Sequence, residues 1–195
     1  MGHFHWRGFI AAALTVLCAL SASAGPEDGF LLFTDPEARF SVEFPKDWEW
    51  SIVAGSGEAL VVFVQPKKEA AIVVEHSRMK QSLAPEDVTD VFAQIEGEVL
   101  KENQPRATGI AAQIVKRNGL PRVLVDYSRP GVGGGEPQRV RQYSMPTGRD
   151  LYRVTCMALS SQFKKYDATF GAVAETLKSA ASLKPAGGTT PQRGR

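Results

Sequence analysis

The 195-residue chain carries 23 Lys+Arg against 21 Asp+Glu, with 43% apolar and 23% charged residues, a globular balance that argues against a disordered or membrane-embedded protein. Four of the bases, Arg7, Lys184, Arg193 and Arg195, sit near the ends, so the span 25–183 is faintly acidic and lacks the concentrated basic face that nucleic acid requires. Two cysteines, one of them within the first 24 residues, give no basis for a disulfide framework.

Residues 1–24 read as a sorting segment to be set aside from the fold. Arg7, with His3 and His5, makes a weakly basic start, Gly8–Leu20 is uncharged and mostly apolar, and Ala22-Ser23-Ala24 offers small residues to a signal peptidase. The apolar run falls short of the roughly 20 residues that span a bilayer, so no transmembrane segment is expected in the mature chain. Leu17 before Cys18 is bulkier than the small residue that lipidation prefers. The expectation is cleavage before Gly25 and export to the periplasm or beyond. A single domain over 25–183 follows, then a basic tail, 184–195, with no apolar periodicity and an expectation of disorder.

Phe30-Leu-Leu-Phe33 predicts a short first strand, and Thr34-Asp-Pro-Glu37 a turn. Phe40, Val42 and Phe44 alternate with Ser41 and Glu43, a strand with one buried face. Pro45 removes a ladder donor and ends it, and Trp48 and Trp50 follow as apolar anchors that fold back on the core. Trp50–Ala54, Ala59–Val64 and Ala70–Glu75 predict further strands, the first two joined by a turn at Gly55-Ser-Gly-Glu58. These runs are nearly continuously apolar, as in a sheet covered on both faces.

Over Pro85–Gln104 the period becomes helical, with Val88, Val91, Phe92, Ile95 and Val99 forming one apolar stripe. Ile110–Val115, Arg122–Ser128, Gln138–Met145 and Leu151–Met157 predict four more strands, paired as antiparallel hairpins through turns at Asn118-Gly119 and Thr147-Gly148. A last helix begins near Ser161, and Phe163, Tyr166, Phe170, Val173, Ala174 and Leu177 share its apolar face. The order predicts an α+β fold, an antiparallel β-sheet covered by helices on both faces as an α/β/α sandwich.

The stretches "ARFSVEFPKDW", "LYRVTC" and "FKKYDATFGAVAETLKS", in this order around an amphipathic helix and paired strands, resemble the PsbP-like superfamily over about 30–179. That group includes the photosystem II extrinsic protein, Ran-binding Mog proteins and exported DcrB-like proteins. The resemblance implies an antiparallel sheet between helices and a non-enzymatic role. The chain lacks the long N-terminal segment of the photosynthetic members, so neither their photosystem role nor their metal binding is the primary expectation.

The residues themselves offer little catalytic material. His76 is the one histidine beyond the leader, and Glu75 beside it on a strand points to the opposite face, so the two cannot chelate one ion. No Gly-x-Ser-x-Gly elbow presents a serine. Cys156 lies in an apolar strand pattern, as a buried inert thiol does. Gly131-Val-Gly-Gly-Gly135 is followed by Glu-Pro and a strand rather than a helix, which makes it a hairpin loop and not a phosphate loop. No catalytic residue, metal or cofactor is expected.

Arg139 and Arg141 share a strand face, and Arg153 sits on a strand beside it. They read first as a salt-bridged face with Asp126, Glu136 and Asp150 near in sequence, and otherwise as a cationic patch for a partner. The functional expectation is an exported, non-catalytic binding or assembly module of the cell envelope, with a protein partner. The alternatives are a photosystem-associated extrinsic protein and a hydrolase with a carboxylate site assembled by the fold. Phe40, Phe44, Pro45 and Trp48 are expected to be structural.

Overall fold

A computed structural model describes residues 29–53, 59–117 and 119–183. The expected leader (1–24), the expected tail (184–195) and the expected turn at Gly55–Glu58 lie outside the described residues. The first strands, β1 (Phe30–Thr34) and β2 (Phe40–Pro45), pair antiparallel with Phe33 opposite Val42. Their connection is fixed by Asp35, whose carboxylate accepts from the backbone N–H of Glu37 and Arg39 and from the Arg39 guanidinium at 2.8 and 2.9 Å. The free edge of β2 takes a two-residue strand near the C-terminus, β9 (Lys178–Ser179). The alternating strand β2 therefore belongs to a small sheet of its own, β1-β2-β9, rather than to the main one.

The main sheet follows the order β3 (Glu49–Val53), β4 (Ala59–Val64), β5 (Ala70–Leu83), β8 (Gln138–Leu159), β7 (Leu120–Arg129), β6 (Thr108–Arg117), antiparallel throughout. A straight strand of 22 residues like β8 would be roughly 70 Å long. Yet Ser160 N–H donates to the Pro137 carbonyl at 2.9 Å, and Thr155 Oγ1 lies 3.5 Å from Gln142 Oε1. The span therefore doubles back into two arms, bending at Gly148 with φ of 61°. The N-terminal arm pairs with β7 and the C-terminal arm with β5, which is the hairpin that Thr147-Gly148 predicts. Arg117 opposite Leu120 is the last pair of the other expected hairpin, and Asn118 of its expected turn lies outside the described residues.

Period-two alternation divides the core into two clusters on opposite faces of this sheet. Ile72, Val74, Leu124 and Cys156 belong to the cluster that holds β1, β2, Trp48 and the helix α2 (Phe163–Thr176). Their chain neighbours Val73, Val123, Val125 and Met157 belong to the cluster under the helix α1 (Asp90–Asn103). The α2 stripe is buried as its sequence predicts: Phe163, Tyr166, Phe170, Val173, Ala174 and Leu177 all lie in the first cluster. Trp48 is buried against Tyr166, ring centroids 6.1 Å apart, whereas Trp50, 38% exposed, only edges onto Phe33.

The first predicted helix differs from its expectation in extent and in face. Pro85–Asp87 is a separate 3-10 turn, and Thr89, in extended backbone, starts α1 at Asp90. The helix buries Ala93, Glu96 and Leu100, while Val91, Ile95 and Val99 are 66, 48 and 40% exposed. Ala93 and Gly97 allow a close approach on the buried side. Gly97 lets the helix settle onto β6 so closely that a Cβ there would lie 3.4 Å from that of Ala112. The larger valines and the isoleucine are left on the outer side.

Candidate functional site

The three arginines singled out from the sequence do not form one patch. Arg139 and Arg141 lie on the α2 face of β8, where the cationic carbons stand 4.8 and 5.4 Å from the centroid of the Phe163 ring. Arg141 is occupied further. Its Nε donates to Asp126 at 3.0 Å and its Nη1 to Asp167 of α2. Burial disfavours its charge, but Asp126 and Asp167 outweigh burial and raise its pKa above the usual arginine value. Arg153 lies on the other face, where Nη2 donates at 3.0 Å to Glu96 of α1, and Ser144 Oγ donates to the same carboxylate at 2.7 Å. Arg141 and Arg153 thus each tie a helix to the sheet, one on each face. Arg139, exposed, makes no ion pair among the described residues.

His76 is 7% exposed, with Nε2 2.9 Å from Asp150 Oδ1 and its ring 5.1 Å from that of Tyr152. They open on a shallow cleft with Glu37, Arg39 and Arg78. The cleft's charges are matched internally: Arg39 serves Asp35 and Glu37, and Arg78 approaches Asp150 at 3.5 Å. Its lining includes no serine, threonine or cysteine to act as a nucleophile. Cys156 is fully buried, and burial pushes its thiol far up, so it is neutral at physiological pH. Among the described residues no group of three or more His, Cys, Asp or Glu could hold a metal ion, and no helix is long and apolar enough to cross a membrane.

The feature that sequence reasoning misplaced is on α1. Val91, Ile95 and Val99 recur at i, i+4 and i+8, which aligns them along one side of the helix. Glu96 reaches β8 on one flank, and the other flank, with Asp90, Gln94, Glu98 and Lys101, overhangs β6. The apolar row runs along the outward side, from above β6 towards β8, with half-buried Phe92 below it in the second cluster. Glu98 and Glu102 are the exposed carboxylates nearest it by helical spacing, and Glu86, Asp87 and Asp90 are exposed at the N-terminal end of the same segment, with Lys101 the one base over 85–102.

No family model matches the chain, and no curated protein matches it. Solved structures share its fold. The chain is similar to the solution structure of cyanobacterial PsbP (CyanoP) from Synechocystis sp. PCC 6803, with 15% identity and a TM-score of 0.56 over 82% of this chain and 98% of that one. A crystal structure from Bacteroides thetaiotaomicron gives 19% identity and a TM-score of 0.52 over 76% of this chain, which spans 47% of that protein. The α+β architecture with antiparallel sheets is therefore PsbP-like, as the resemblance in the sequence implies.

Proposed function

We propose that this PsbP-like fold serves as an exported, non-catalytic recognition or assembly module of the cell envelope. The observation that carries the reading is the row Val91, Ile95 and Val99, three large apolar side chains exposed on a helix that buries Ala93, Glu96 and Leu100 towards the sheet. Exposed apolar groups in a row tend to mark surfaces that a partner covers. The polar constellations support the same reading from the other side. The Arg141 and Arg153 ion pairs and the His76–Asp150 pair join fold elements, and the only described thiol is buried and neutral. Export is read from the Arg7, Gly8–Leu20 and Ala22-Ser-Ala24 pattern.

The test is capture from the host's own envelope fraction with a C-terminally tagged chain, comparing the native protein with Val91→Glu/Ile95→Glu and with Arg139→Glu. Both variants change exposed side chains, so melting temperatures should match the native value. One identified protein should co-purify with the native chain and with Arg139→Glu and disappear with the double variant. A captured partner indifferent to Val91 and Ile95 would move recognition off α1. Turnover of a substrate, abolished by changing one carboxylate, would overturn the non-catalytic reading.

A further inference from the structure

The border of the α1 row narrows what covers it. Resting on the recognition reading above, we infer that the occupant is an amphipathic helix of a partner protein, apolar on one side and flanked by lysine or arginine, laid along Val91, Ile95 and Val99. The row is an i, i+4 ridge one residue wide, which a second helix receives in the groove between its own ridges. Its chemistry sets the flanks. Five exposed carboxylates, Glu86, Asp87, Asp90, Glu98 and Glu102, stand against one base, Lys101, over residues 85–102. Glu98 and Glu102 are one turn apart beside the row, so cations at i and i+4 on the partner helix meet both.

The same charges exclude the other occupants. A second copy packed antiparallel about Ile95 would set Glu102 of each chain beside Val88, next to Asp87 of the other, with Lys101 near Asp90 the one offsetting charge. A parallel copy would oppose Glu98 to Glu98. Both arrangements place like charges around a desolvated strip. An anionic membrane surface attracts basic segments and repels this one.

The experiment uses the full-length chain and two synthetic helical peptides, identical in their leucine ridge, one flanked by lysines and the other by glutamates. Binding is read by fluorescence anisotropy at low salt. The lysine peptide should bind at least tenfold more tightly than the glutamate peptide and weaken as salt rises. Glu98→Lys/Glu102→Lys should invert that preference, and Ile95→Ser should weaken both. Equal binding of the two peptides, or a preference unmoved by the charge reversal, would overturn the inference. So would concentration-dependent dimerisation abolished by Ile95→Glu, or adsorption to vesicles of anionic phospholipid. If envelope capture depends on Val91 and Ile95 while the peptides are not distinguished, the recognition surface stands and the basic helix falls. If capture ignores those residues, the recognition reading itself has failed.

Discussion

Asp35 concentrates more interactions than any neighbouring side chain in the turn it holds. It is 4% exposed, and its two oxygens accept from two backbone N–H groups and twice from Arg39. Burial pushes its pKa up, but the Arg39 bonds and charge outweigh burial and hold the carboxyl below its ordinary value. A depressed folded pKa means that the stabilisation is complete at neutral pH and is lost as pH falls through the folded value, below the unfolded pKa of about 4. Asp35→Ala should cost about 1.5–3 kcal/mol at pH 7. In urea melts the gap between native and variant should shrink as pH drops from 5 towards 3, and a gap independent of pH would show that the charge is not what holds the turn. A parallel contrast separates the two arginines facing α2. Arg141→Ala strands two aspartates and should lower stability by about 1–2 kcal/mol, whereas Arg139→Ala should change it by less than about 0.5. Equal melting temperatures for the two variants would deny Arg141 its role in fastening α2. Both arginines could be placed on one strand face from the sequence, and Asp126 could be named as a neighbour. Asp167 could not, because only the packing of α2 brings it there.

At the level of elements, the helical period of 85–104 was readable but its inner face was not. Spacing alone ranks the stripe Val88, Val91, Phe92, Ile95 and Val99 innermost, yet of these only Val88 and Phe92 join the second cluster. The sheet reverses that order because β6 offers Ala112 and Ile110, against which a close-set helix fits, while Arg153 and Ser144 give the Glu96 carboxylate its bonds. Glu96→Ala should therefore destabilise by about 2–4 kcal/mol, since it leaves Arg153 partly buried without its partner and removes the link from α1 to both arms of β8. Glu96→Leu should recover part of that loss by replacing the pair with apolar contact. If Glu96→Ala melts with the native protein, the link carries no weight and α1 is held by apolar packing alone. The β8 hairpin, by contrast, was legible from Thr147-Gly148, because a positive φ at a glycine is a local requirement that needs no distant partner. For the same reason the α2 face was legible: its aromatic residues are both the largest and the innermost.

For the whole molecule, the two core clusters cannot separate, because adjacent residues of the same strands, Ile72 and Val73 or Cys156 and Met157, serve opposite faces. Opening one face distorts the strands that carry the other, so the domain should unfold in a single cooperative step. Cys156 reports that step directly. It is fully buried in the first cluster, and burial holds its thiol in the unreactive neutral form, so a thiol reagent reaches it only through global opening. The chain encodes two cysteines, and the other, Cys18, lies within the expected leader, 1–24. Protein recovered from the envelope should therefore release no thiol signal while native and one thiol per chain in denaturant, with an intact mass that begins at Gly25. The labelling rate should rise with urea along the same midpoint as loss of circular dichroism. Fast labelling of the native chain would place Cys156 outside the core. Two thiols in denaturant would mean that the leader is retained, and one thiol with a lipid-sized mass increment would mean that Cys18 anchors the protein.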